Sequence, residues 1–127
     1  MKSLISALSL TTILFAQLAL AAETPFNQAQ FDAARAAGKP LAVVFHADWC
    51  PTCRAQAPVL KHLAEMPEFA PVTVYVADFD AEKALKKSLG VTQQSTIVVF
   101  KGKQEVARST GDSQPSSLSA LMRHAIS

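Results

Sequence analysis

A continuous run of five apolar residues, 41–45 (Leu-Ala-Val-Val-Phe), constrains the fold of this chain more than any other feature. The run does not alternate with polar residues, so it predicts a β-strand that is buried on both faces. Such a strand requires a layer of helices on each side of its sheet. Helical patterns lie before the run, over 29–37, and after it, over 51–64. The run therefore predicts an α/β domain.

The other elements follow from apolar periodicity and from the glycines and prolines that separate them. The predicted strands are 41–45, 72–79, 96–100 and 104–108, and the predicted helices are 29–37, 51–64, 81–89 and one that opens at 113–115. A right-handed crossover makes the first two strands parallel, and the short turn 101–103 makes the last two an antiparallel hairpin. The prediction is a four-stranded mixed sheet with helices on both faces.

Two of these helices carry further signals. Asn27 is expected to cap the first helix, with Phe26 packing onto Phe31. The last helix is expected to bury one apolar face, formed by Leu118, Leu121, Met122 and Ile126.

The first 21 residues have the pattern of a secretory signal peptide. A positive start, Met1-Lys2, precedes an uncharged apolar stretch over 4–20, and Ala19-Leu20-Ala21 fits the small-x-small cleavage pattern. The alternative is an uncleaved membrane anchor, for which the apolar stretch is short. Cleavage leaves 22–127 as a single domain in a periplasmic or extracellular compartment. That compartment is oxidising, so a cysteine pair there acts either as a structural disulfide or as a redox-active pair.

Composition excludes several classes of protein. Half of the residues are hydrophobic and 17% are charged, which excludes a disordered chain. Twelve basic residues against ten acidic ones give no reason to expect a nucleic-acid partner. The two cysteines are too few for a multi-disulfide scaffold or a four-cysteine zinc site. We expect a monomer.

The candidate chemistry lies at Cys50-Pro51-Thr52-Cys53, where the second predicted helix begins. Cys50 is expected at the N-cap and Pro51 at the first helical position, so that backbone amides point toward the Cys50 sulfur. These amides and the helix dipole favour a thiolate, which makes Cys50 the exposed attacking sulfur. Cys53, one turn further on, is the buried resolving sulfur.

Two alternative roles for the cysteines remain open. A structural disulfide closing so short a loop would contribute only about 2 kcal/mol, against about 3 kcal/mol for a fifteen-residue loop. Alternatively, the cysteines are soft ligands for Cu(I) or zinc, with His46 as the nearest candidate for a third ligand.

The segment 47–54 (Ala-Asp-Trp-Cys-Pro-Thr-Cys-Arg), followed by Pro58, resembles the active site of thioredoxins. Phe45 and the terminal hairpin from Thr96, with Gly111 after it, extend the resemblance over about the whole of 22–127. It implies a thioredoxin-like fold and exchange of disulfides with protein thiols and disulfides, with no cofactor or metal. The substrate-binding residues that it implies are Trp49, Pro51, Thr52, Gln94, Ser95 and Thr96.

Three positions depart from the family pattern. The family's buried acid and its lysine partner correspond to Val44 and Val76, which we expect to be buried side by side. The family's cis-proline corresponds to Ser95, which we expect to lie close to both sulfurs. Because a cis bond before a non-proline residue costs about 2.5–4 kcal/mol, we expect the Gln94–Ser95 bond to be trans.

The sequence thus predicts a secreted or periplasmic thiol–disulfide oxidoreductase. It leaves the redox direction open: a reductant would be kept reduced by a membrane partner, whereas an oxidant would introduce disulfides. The alternatives are a copper carrier that uses the same cysteines and an interaction domain in which the disulfide is idle.

Overall fold

A computed structural model describes residues 23–127 and shows one mixed sheet with helices on both faces. The strands are β1 (Glu23–Pro25), β2 (Pro40–His46), β3 (Thr73–Asp78), β4 (Thr96–Lys101) and β5 (Gln104–Thr110). The helices are α1 (Gln28–Ala36), α2 (Pro51–Glu65), α3 (Lys83–Leu89) and α4 (Pro115–Arg123), with a 3₁₀ turn at Pro67–Phe69. The predicted signal peptide lies outside the described residues, and no helix among those described is long and apolar enough to span a membrane.

The sheet has five strands in the order β1-β3-β2-β4-β5, so the prediction of four strands was wrong by one. The additional strand, β1, pairs in parallel with β3 at the edge of the sheet. Three residues are too few to show an alternating pattern, and Pro25 argues against a strand except at such an edge. The predicted fold class is confirmed.

The apolar run of β2 lies in the middle of this sheet, parallel to β3 and antiparallel to β4. Its side chains alternate between two cores. Ala42 and Val44 face the core that α2 and α4 cover, whereas Leu41, Val43 and Phe45 face the core that α1 and α3 cover. Helices thus bury both faces of the strand, which explains why the run contains no polar residue.

The ends of the helices follow the sequence with one exception. The Asn27 side chain accepts a hydrogen bond from the Gln30 amide at 3.0 Å, and the Phe26 and Phe31 rings lie 5.4 Å apart, as predicted. The prediction that Ile126 lies on the buried face of the last helix was wrong. After Arg123 the chain tightens into turns with i to i−3 hydrogen bonds, which leave Ile126 exposed and bury Ala125 instead.

Candidate active site at the start of helix α2

The two cysteines lie at the start of α2, after the short loop that follows β2. Cys50 occupies the N-cap position, with φ −88° and ψ 118°, and Pro51 is the first helical residue. The Cys53 amide donates a hydrogen bond to the Cys50 sulfur at 3.3 Å. The predicted N-cap geometry is therefore confirmed, and both cysteines are free thiols in this structure.

Both sulfurs are buried, which corrects the prediction that Cys50 is exposed. Cys50 is 3% exposed and Cys53 is 0% exposed. The two cysteines form a small buried cluster with Ala47, against which Phe79 packs. Cys50 remains the more exposed of the two residues, by a small margin.

The surroundings shift the pKa values of the two thiols in opposite directions. Burial alone would raise the pKa of Cys50. Hydrogen bonds from Ser95, from the Cys53 thiol and from the amides of Cys53 and Thr52 outweigh it and lower that pKa to about 7. Burial dominates at Cys53 and raises its pKa, with the neighbouring Cys50 adding to the effect. Near neutral pH Cys50 is therefore about half ionised, whereas Cys53 stays a thiol.

This difference predicts how the reduced protein reacts with limiting iodoacetamide. The label should enter at Cys50, at a rate that rises with pH as the thiolate forms, with a midpoint of about 7. Peptide mass mapping after labelling at a series of pH values measures both the site and the profile. Preferential labelling of Cys53, or a midpoint as high as that of a free cysteine, about 8.5, would contradict the assignment.

Ser95 lies directly beside both sulfurs, as predicted. Its hydroxyl oxygen is 3.0 Å from the Cys53 sulfur and 3.4 Å from the Cys50 sulfur. The Gln94–Ser95 bond is trans, in agreement with the prediction, since the residues that the structure describes contain no cis peptide bond. Ser95 instead adopts φ +62°, a left-handed conformation that costs a residue with a side chain about 1–2 kcal/mol.

Three hydrogen bonds hold the Ser95 backbone in this conformation. Its amide donates to the Phe45 carbonyl at 2.9 Å, and its carbonyl accepts from the Gly111 amide at 3.1 Å. The third donor is the side-chain amide of Gln56 in α2, at 3.3 Å. Strand β2, helix α2 and the loop after β5 therefore position the hydroxyl between the two sulfurs.

Gln56 is a site residue that the sequence reasoning missed. It is 1% exposed, and its side-chain amide also donates to the Asp112 carbonyl at 2.7 Å. One signal was available: Gln56 lies three residues after Cys53 and four before Leu60, on the face of α2 that should be apolar. A polar residue at such a position requires buried hydrogen-bond partners.

The other predicted substrate-binding residues surround the cysteines with different exposures. Trp49 is 58% exposed, and its indole donates to the Asp80 carboxylate at 2.7 Å. Pro51 is exposed, and Thr52 and Gln94 are half-buried. Thr96 is buried and donates to the Gln93 carbonyl at 2.8 Å. Their contact with substrate stays a prediction.

A cavity of about 210 Å³ lies between β1, β2, β3 and α2. Val44 and Val76 are register partners that both line it, but only Val44 is buried. The prediction that both are buried was wrong for Val76, because the short edge strand β1 leaves it partly uncovered. The Glu23 side chain lines the same cavity, and burial raises its pKa, with Lys61 and then His46 opposing this.

His46, at the end of β2, is the other titratable side chain that lines this cavity. Its Nε2 atom lies 2.9 Å from the Asp48 carboxylate. Nothing supports the copper-carrier alternative: within residues 23–127, no three histidine, cysteine or acidic side chains are grouped closely enough to hold a metal ion.

Comparison with known proteins agrees with this site. The Thioredoxin family profile matches residues 22–124. A thioredoxin of Chlamydia muridarum is 38% identical over 80 residues, which cover 63% of this chain and 76% of that protein. The protein disulfide-isomerase erp38 of Neurospora crassa is 46% identical over 70 residues, 54% of this chain but only 19% of the isomerase. The crystal structure of Trxlp from Edwardsiella tarda superimposes with a TM-score of 0.77 at 38% identity, covering 80% of this chain and 98% of Trxlp.

The chain therefore belongs to the thioredoxin family. Its activity is thiol–disulfide exchange, with protein thiols and disulfides as the reacting partners, and the cysteine pair at the start of α2 is suited to it.

Proposed function

We propose that this protein is a periplasmic or secreted disulfide reductase that donates electrons from the Cys50–Cys53 pair to protein disulfides. The observation that carries the redox direction is the pKa of Cys50, about 7. This value matches that of thioredoxin, about 7, whereas the strong oxidant DsbA has a thiol pKa of about 3.5. A thiolate that is only modestly stabilised leaves the dithiol form easily oxidised, so the pair acts as a reductant.

The compartment rests on the sequence of the first 21 residues, and the membrane partner follows from the compartment. A reductant in an oxidising space must be re-reduced after each turnover, and soluble reductants are scarce there. We infer that a membrane protein supplies the electrons and that the monomer shuttles them. The exposed Trp49 beside the buried sulfurs would be the first surface that either protein meets.

One preparation of the protein tests both the proposed redox direction and the proposed compartment. The full chain, expressed in a bacterium with a periplasm, should be recovered there with Ala22 as its first residue, as judged by intact mass. The reduction potential of the recovered protein, measured against glutathione, should lie near that of thioredoxin, about −270 mV. A potential near about −120 mV would identify an oxidant and overturn the proposed direction. Retention of Met1 in a cytoplasmic product would overturn the location.

A further inference from the structure

The resolving thiol, Cys53, must lose a proton before it can attack, and its surroundings offer few groups that could take it. Its sulfur is 0% exposed, so water does not reach it directly. The nearest acceptor is the Ser95 hydroxyl at 3.0 Å, and the Phe45 carbonyl oxygen is more distant at 4.0 Å. Val44, where thioredoxins carry a buried acid, has no group that can take a proton.

The Ser95 hydroxyl touches both reacting sulfurs, but it has only one proton to donate. If that proton points to Cys50, the oxygen is free to accept one. In the reduced protein the Cys53 thiol can turn its single proton to the Cys50 thiolate or to this oxygen; once Cys50 is held in a mixed disulfide it carries no charge, and the Ser95 oxygen at 3.0 Å is the acceptor that remains. Burial raises the pKa of Cys53, so Cys53 is the thiol that keeps a proton for this oxygen to accept. The result is a continuous hydrogen-bonded path from Cys53 through Ser95 to Cys50.

We propose that Ser95 is a catalytic residue that relays the proton of Cys53 during the resolving step. In the first step the Cys50 thiolate attacks the substrate disulfide, forms a mixed disulfide and releases one substrate sulfur as a thiolate, which solvent protonates. In the second step the Cys53 proton passes to the Ser95 oxygen while the Ser95 hydroxyl proton passes to the second substrate sulfur. Cys53 attacks Cys50, the bond from Cys50 to the substrate breaks, and the Cys50–Cys53 disulfide forms. Two electrons have then moved from the cysteine pair to the substrate.

The strained backbone of Ser95 supports this role. A left-handed conformation in a residue with a side chain persists where the surroundings impose it, and such residues cluster at active sites. Here three hydrogen bonds from separate elements impose it, including one from the buried Gln56. They hold the hydroxyl in contact with both sulfurs.

The test separates the two steps of exchange in the full chain. Reduced protein is mixed with oxidised glutathione at an alkaline pH at which Cys50 is fully ionised, and acid-quenched samples are analysed by mass spectrometry for the mixed disulfide. Ser95→Ala should form it at the wild-type rate but resolve it about tenfold more slowly or worse, since positioned proton transfer typically contributes about 10²–10⁴-fold. Ser95→Gly also removes the hydroxyl, and it relieves the backbone strain, so it should show the same delay. It provides the test in case Ser95→Ala folds poorly.

Two control variants complete the experiment. Ser109→Ala removes another hydroxyl, one that is buried and has no hydrogen-bond partner among residues 23–127, and it should resolve at the wild-type rate. Glu23→Gln removes the carboxylate that lines the cavity between β1, β2, β3 and α2 and should also leave resolution unchanged. Resolution in both Ser95 variants within about twofold of wild type would overturn the relay. A delay confined to Glu23→Gln would also overturn it, because it would show that the Glu23 carboxylate takes the Cys53 proton.

This inference rests on thiol–disulfide exchange and not on the proposed direction or compartment. An oxidising potential would overturn the proposed reductase while leaving the delay in resolution intact. A normal rate of resolution in the Ser95 variants would remove the relay and leave the reductase standing.

Discussion

Replacing Cys50 with serine should reduce disulfide exchange by about 10³-fold or more, because a hydroxyl at the N-cap does not ionise near neutral pH and cannot attack a disulfide. Replacing Cys53 with serine should have a different result. The Cys50 thiolate can still attack, but no second thiol resolves the mixed disulfide, so the protein remains linked to its substrate. Non-reducing electrophoresis and mass spectrometry after mixing with a disulfide-containing protein measure the trapped species.

The double variant, Cys50→Ser with Cys53→Ser, is the matched control and should neither react nor form adducts. Each substitution replaces one sulfur with oxygen at a buried position, so thermal melting should accompany the assay to show that the variants fold. Adducts formed by Cys50→Ser, or wild-type turnover by Cys53→Ser, would reverse the assigned roles.

Replacing Val44 with aspartate should lower the free energy of unfolding by about 3 kcal/mol at neutral pH, because it places an unpaired carboxylate in the core. Val44 is 3% exposed and lines the same cavity as Glu23, so the new carboxylate lies near one that is already there. Strand β3 has no lysine that could pair with it. For a domain of this size, the melting temperature should fall by more than about 10 °C.

The loss of stability in Val44→Asp should depend on pH. Burial raises the pKa of the new carboxyl above its unfolded value, so the folded state binds the proton more tightly. The loss of stability therefore grows as pH rises above about 4, the pKa in the unfolded chain, and levels off above the folded pKa. Val44→Ala, which removes volume without adding charge, is the control and should show no such dependence. An unchanged melting temperature for Val44→Asp would contradict the register of β2 and β3.

Adding Val76→Lys to Val44→Asp should recover part of the loss. The two positions are register partners on adjacent parallel strands, so the side chains lie on the same face of the sheet. Because Val76 is only half-buried, a lysine there can keep its ammonium group partly solvated while it approaches the carboxylate. Chemical denaturation of the two single variants and the double variant measures this coupling.

Much of the fold was predictable because it depends on information local in the chain. The apolar run of β2 predicted a central strand covered on both sides, and Asn27 predicted where α1 begins. The same was true of the chemistry of the cysteine pair, since the N-cap position of Cys50 follows from the residues immediately after it. Strand β1 was not predictable, because three residues at a sheet edge have no pattern of their own and are ordered by pairing with β3.

The environment of the sulfurs was decided by the tertiary structure. Ser95 could be placed near the cysteines only by resemblance, and its left-handed backbone depends on Phe45, Gly111 and Gln56, which come from three separate parts of the chain. The sequence by itself thus determined the strand, the helix start and the position of Cys50 at that start. Packing between distant segments decided the burial of Cys50, the opposite pKa shifts and the hydroxyl between the sulfurs, because hydrogen bonds and desolvation act over a few ångströms in space whatever the separation along the chain.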